Sequence, residues 1–137
     1  MGLLSNLRKV VETTVKNGWT ATPVRYPNVP FKQPANGLFV SLAIQLGVSN
    51  ITSLGTSKRE EQTGIVVLTI NTPPDGGSKQ AMELADAAQA LFRCKQFTEG
   101  ETTVNFYECS AGSGGESATG YALNAYMRFK ADQLFDG

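Results

Sequence analysis

Histidine is absent from the 137 residues of this chain. Ser–His–Asp and Cys–His nucleophiles, His-ligated zinc and an imidazole switch near neutral pH are excluded with it. An excess of charge is missing too. Twelve basic and twelve acidic residues cancel, whereas a dedicated DNA binder draws most of its affinity from a basic surplus. The longest strictly apolar run is Ile65-Val66-Val67-Leu68, far short of the roughly 20 residues a membrane helix needs. Met1-Gly2 opens like a myristoylation signal, but Asn6 stands where that motif has Ser or Thr. Arg8 and Lys9 follow the short apolar stretch, where a secretory leader has its basic residues in front. The expectation is a soluble protein made in the cytoplasm, without a membrane partner. Its two cysteines, Cys94 and Cys109, are then reduced thiols.

What is present suits a packed core. Hydrophobic residues make up 41% and charged residues 18%, which fits neither a disordered nor a membrane chain. Residues 1–137 are expected to form one domain, since a chain of this size buries roughly 68% of its unfolded surface. Leu3, Leu4, Leu7, Val10, Val11 and Val15 draw one stripe on a helix over 3–16. Asn17-Gly18 stops it, with Gly18 as a left-handed cap, and Trp19 packs beneath its end. Val24-Arg25-Tyr26 reads as a short strand. Pro27, Pro30 and Pro34 then hold an extended connection. Leu38, Val40, Leu42, Ile44, Leu46 and Val48 occupy every second position, the mark of a long strand with one buried face.

A second strand is predicted from Gly64 to Asn71. The polar stretch between them, residues 49–63, is long for a loop, so both strands are expected to run on as a projecting arm with Lys58-Arg59-Glu60-Glu61 at its tip. Ser78 is the expected N-cap of a helix over 79–93, whose face carries Ala81, Leu84, Ala85, Ala88, Leu91 and Phe92. Strands follow at 102–108 and 121–131, with Gly112-Ser113-Gly114-Gly115-Glu116-Ser117 as a flexible loop between them. The order is α-β-β-β-α-β-β. It predicts an α+β fold, a mostly antiparallel sheet of four to five strands with two helices packed on one face and a long β-hairpin arm.

No motif carries catalysis, and no catalytic, cofactor-binding or metal residue is assigned. The Gly/Ser loop lacks the Lys-Ser/Thr pair that a phosphate-binding loop feeds into a helix. Glu99 and Glu101 flank Gly100, and Glu60 and Glu61 are adjacent; neighbours of this kind read as solvated charge rather than as carboxylates set across a cleft. Cys94 follows a helix C-terminus, where the dipole disfavours a thiolate, and reads as packing. The mixed charges Lys58, Arg59, Glu60 and Glu61 are the candidate protein–protein interface, since alternating sign sets register and specificity.

Taken in order, the helix Leu3 to Lys16, the entry Tyr26-Pro27-Asn28-Val29-Pro30-Phe31, the strand Leu38 to Val48, the polar arm, the strand Ile65 to Ile70 running into Pro73-Pro74, the alanine-rich helix Ala81 to Phe92 and the closing strand with Tyr121, Tyr126 and Phe129 resemble the tail terminator proteins of long-tailed bacteriophages. The Gly/Ser segment 112–117 has no counterpart in that pattern. The resemblance implies a structural protein of the virion, at the junction of tail and neck. It would be a ring, normally of six copies, that caps the tail tube and stops its polymerisation. Its implied partners are further copies of itself, the major tail tube protein and a head-completion or connector protein, with DNA only passing through the lumen. No cofactor is implied. The alternatives are another neck or minor tail protein that joins tail to head, and a small cytosolic enzyme or ligand-binding domain using the Gly/Ser loop.

Overall fold

The computed structural model describes residues 2–27, 29–32, 34, 37–51, 57–73, 77–117 and 120–136, with backbone only for 57, 77, 78, 113–117, 135 and 136. The elements run α1 (Leu3–Gly18), β1 (Val24–Arg25), β2 (Phe39–Ile51), β3 (Ser57–Thr72), α2 (Gly77–Phe92), β4 (Gln96–Glu99), β5 (Thr102–Ser117) and β6 (Gly120–Asp136). All strands join one sheet in the order β1-β2-β3-β6-β5-β4. The fold is α+β as expected, but the sheet has six strands rather than four or five and is mixed. β1 lies parallel to β2, with Val24 opposite Val40 and Arg25 opposite Ser41. The proline-containing connection carries the chain back to the end where β1 began, so β2 starts alongside β1 in the same sense. The remaining pairs are antiparallel, and β3–β6 is the longest ladder, from Ser57↔Asp136 to Thr72↔Tyr121.

Period two sets the faces. Val40 and Leu42 of β2, Val66, Leu68 and Ile70 of β3, Leu123, Ala125, Met127, Phe129 and Ala131 of β6, and Val104 and Phe106 of β5 are buried. Both helices contribute to the same core. α1 adds Leu3, Leu7, Val10, Val11 and Val15, and α2 adds Ala81, Ala85, Ala88 and Phe92. The small side chains of α2 let it lie close on β6 and β3. At the centre Phe106 touches three rings, with centroids 4.7 Å from Phe92, 5.8 Å from Phe97 and 5.9 Å from Phe129. Pairs at such tilted spacings add about 0.5–1.5 kcal/mol each beyond area burial.

Three sequence expectations change. Gly18 is helical and not a left-handed cap, since positive φ among glycines occurs at Gly37, Gly100 and Gly120. The glycine serves close packing instead: a Cβ on Gly18 would stand 2.6 Å from Leu91 Cδ2. Leu4 leaves the helix stripe and is exposed, while Asn6 is buried. Its Nδ2 donates to Thr102 Oγ1 at 2.9 Å, and that hydroxyl donates to Gln133 Oε1. A buried polar chain thus ties α1 to the two long C-terminal strands.

The third change concerns the segment 112–117. It is not a loop but the end of β5, paired with β6 through Gly112↔Asn124, Ser113↔Leu123 and Ser117↔Gly120. Tyr126 covers the bare strand here, lying 3.1 Å from where a Gly112 Cβ would be; an aromatic side chain over a strand glycine restores the missing contact. β4 was not anticipated. It forms a hairpin with β5 in which Glu99 pairs with Thr102, and Gly100, at φ 59°, supplies the positive φ that the first residue of a two-residue turn requires.

Candidate assembly surfaces

The stretch expected to project as an arm is strand, but most of it stays within the sheet. Ser49, Asn50 and Ile51 pair with Gln62, Glu61 and Glu60, Glu61 and Glu60 pair with Asp132 and Gln133 of β6, and these pair with Thr103 and Thr102 of β5. Among the described residues only 57–59 of β3 and the facing 134–136 of β6 run past that level. A bulge between Leu46 and Ser49 bends β2 near this end of the sheet. Its freed backbone groups are met by side chains. Val48 N–H donates to Thr63 Oγ1 at 3.0 Å, and Gln62 Nε2 donates to Gly47 O at 3.2 Å and Thr63 O at 2.8 Å. Gly47 is required there, since a Cβ would stand 2.9 Å from Thr63 Oγ1. The polar residues that made 49–63 resemble a loop are the ones that satisfy the bulge.

Lys58, Arg59, Glu60 and Glu61 lie inside β3; residues 52–56, which join β2 to β3, are outside the described residues. Strand alternation sends Arg59 and Glu61 to the face away from the helices and Lys58 and Glu60 to the helix side. The structure thus splits the four residues between two faces. On the outer face they meet charges from β6: Arg59 Nη1 lies 4.0 Å from Asp132 Oδ2, and Lys130 Nζ 3.2 Å from Glu61 Oε1. Arg128 Nε and Glu108 Oε1, 3.1 Å apart, extend the row. Exposed pairs of this kind contribute about 0–1 kcal/mol to stability. Their alternating sign matters more for what can lie against the face.

Other chemical candidates resolve simply. Glu60 and Glu61 point to opposite faces, and Glu99 is held by Lys9 of α1, so neither carboxylate pair spans a cleft. Cys94, at φ 55°, ends α2 in the left-handed conformation and is exposed; its thiol donates to Tyr107 O at 3.6 Å. Cys109 is half-buried against the core. Burial pushes its thiol pKa up, Arg93 pulls it back, and the neighbouring Cys94 adds to the rise. Among the described residues no group of three or more Cys, Asp or Glu side chains is placed to hold a metal ion. No described helix is long and apolar enough to cross a membrane. A groove of about 630 Å³ runs along the polar side of α1 past Arg8, Lys9, Glu12 and Tyr26, and Arg8 and Glu12 pair with each other there at 2.8 Å.

Sequence reasoning missed an exposed apolar stretch at the end of β2. Leu46, Val48 and Ile51 are 53%, 62% and 60% exposed, with Leu4 at 52% nearby. The alternation that announced β2 as a core strand continues past the core, and its last members face solvent. The polarity of residues 49–63 is the one sequence signal that this end of β2 lies outside the core.

By its architecture the chain is a small α+β protein in which one helix-backed sheet carries partly open edges. The family model for phage tail terminator proteins matches residues 4–128. The chain belongs to that family, a family of phage tail structural proteins. No curated protein matches it. Among solved structures, one aligns over 97% of this chain and 94% of its own, with a TM-score of 0.64 and 19% identity; that likeness concerns the fold.

Proposed function

We propose that this chain, acting as one unit over residues 1–137, closes into a ring of six copies on the end of the phage tail tube. The ring stops tube polymerisation and offers its opposite face to the connector of the head, with DNA passing through its lumen. The observation that carries this reading is the family match over residues 4–128. The architecture supports it. A ring needs one patch on each copy to fit a different patch on the next, and this sheet has two unlike edges. Lys58, Arg59, Glu60 and Glu61 supply the charged part of this end's contact with a neighbouring tail or neck protein. The work is done by occupancy, without catalysis.

The test is stoichiometry and length. Purified virions are expected to hold a small fixed number of copies, and particles made without the protein to carry overlong tubes lacking a proper end. Tails of normal length in its absence, or its absence from virions, would refute the reading.

A further inference from the structure

The two outer edges of the sheet are each half covered, at opposite ends. On one side β1 pairs with β2 at Val40 and Ser41, and beyond Ser41 no described residue pairs with that edge. On the other side β4 covers β5 from Thr102 to Asn105. Lys95 O then accepts from Phe106 N–H, and Gln89 Nε2 reaches Ser110 O. From Ala111 to Ser117 no described residue pairs with that edge. The ladders put Ile51 level with Glu60, Gln133 and Thr102, and Val40 level with Ile70, Leu123 and Ser113. β2 is therefore open where β5 is covered, and β5 is open where β2 is covered.

We propose that the open edge of β2, Ile44 to Ile51, binds the open edge of β5, Ala111 to Ser117, of a second copy of this chain, so that the sheet runs on from copy to copy around the ring. The inference rests on the proposed ring and names its interface.

Direction, shape and surface favour a second copy as the occupant. β2–β3, β3–β6 and β6–β5 are all antiparallel, so β5 runs opposite to β2, and copies set side by side in the same sense meet as an antiparallel pair. The notches are complementary. When the next copy is shifted along the strands to bring 111–117 beside 44–51, its β4 passes beyond the end of the first copy's β2 and the first copy's β1 passes below the neighbour's sheet. Seven paired residues extend roughly 24 Å at about 3.4 Å each. Beside the β2 edge lies a groove of about 410 Å³ lined by Leu4, Leu7, Pro27, Ile44 and Leu46, with Arg8 and Glu12 at its rim. Strand addition takes affinity from main-chain hydrogen bonds and specificity from such lateral pockets. An unpaired edge flanked by exposed Leu and Val side chains has none of the charge or proline that keeps a free edge from pairing. Because the open edges sit at opposite ends, each copy steps along the strand direction relative to the last, and the strands lie tilted in the ring.

Val40 N–H bonds Pro23 O on the β1 side, so alternation turns the N–H groups of Ile44 and Leu46 to the same open side. Hydrogen exchange of wild-type chain, free and in rings recovered from tails, tests the pairing. In the ring the amides of Ile44 and Leu46 and those within 111–117 are expected to slow together by about a hundredfold or more. Leu46→Pro removes one outward N–H without touching the β2–β3 ladder. It is expected to fold, with Trp19 fluorescence unchanged, and to sediment as a monomer where wild type is a ring. Rapid exchange at Ile44 and Leu46 in the ring would overturn the proposal. So would their protection without protection of 111–117, protection that needs tube protein rather than a second copy, or normal rings from folded Leu46→Pro. Should Leu46→Pro fail to fold, the wild-type exchange pattern decides alone. Overlong tails in the protein's absence would still support the cap if this edge pairing fails, so the two readings are separable.

Discussion

The hydroxyl of Thr102 is the middle link between α1 and the sheet, and replacing it isolates what that link contributes. Thr102 is fully buried and Asn6 is 5% exposed. Thr102→Val keeps the side-chain shape, so no cavity opens. It leaves Asn6 Nδ2 without the acceptor it holds at 2.9 Å. A buried donor left unpaired costs about 1–3 kcal/mol. Gln133 also loses its donor, but it is only half-buried and can turn to water, adding roughly 0.5 kcal/mol. For a chain of this length each kcal/mol lowers the thermal midpoint by roughly 3–5 °C, so a fall of about 4–18 °C is expected. Urea unfolding followed by Trp19 fluorescence gives the free energy directly, since Trp19 is the chain's only tryptophan and lies buried at the end of α1. Adding Asn6→Leu removes the stranded amide, and the double variant is expected to cost at least about 1 kcal/mol less than the two single changes summed. A Thr102→Val protein within about 0.3 kcal/mol of wild type, or strict additivity, would show that the buried chain does not fasten the helix.

Two further outcomes follow from titration and charge. Burial first, and Glu12 second, raise the pKa of the Tyr26 phenol; the folded state therefore holds this proton longer than the unfolded state, and stability declines as pH climbs past the ordinary tyrosine value of about 10. Tyr26→Phe is expected to remove a component of the tyrosinate absorbance titration above the ordinary tyrosine value and to flatten that decline; an unchanged titration curve would count against it. Reversing Lys58 and Arg59 to Glu is expected to alter stability within about ±0.5 kcal/mol while impairing tail completion, and tails of normal length that still join heads would sink the docking role assigned to these residues.

The readable parts of the fold were those where burial repeats with a fixed period. Leu38 to Val48 announced β2, and the alanine-rich face announced α2, because each side chain's fate depends on its own position in the repeat. Where a residue's role is set by a distant partner, the pattern is silent. Gly112 to Ser117 has the composition of a loop, and it is strand because β6 lies beside it and Tyr126 covers it. Gln62 and Thr63 look like loop residues and instead satisfy the bulge. Gly18 looks like a cap until Leu91 is placed against it. β4 is four residues long, too short to show a period, and its one local sign was Gly100 between two polar residues. The candidate interface was half legible: the charges of 58–61 stood out, while the apolar edge at Leu46, Val48 and Ile51 was hidden in a run that also reads as core.

The β3–β6 ladder gives the molecule a fixed dimension. Sixteen residues of β3 at roughly 3.4 Å each extend about 54 Å, from Ser57 opposite Asp136 to Thr72 opposite Tyr121, paired along the whole span. Whatever sits at one end is thus held at a set distance from whatever sits at the other by main-chain geometry rather than by side-chain packing. Such a span can change only in steps. Removing two residues from each strand would shorten it by roughly 7 Å and keep every side chain on its face, whereas removing one would turn the core outward. Length along this axis is therefore quantised, so the faces of the molecule can change in sequence while this span stays locked.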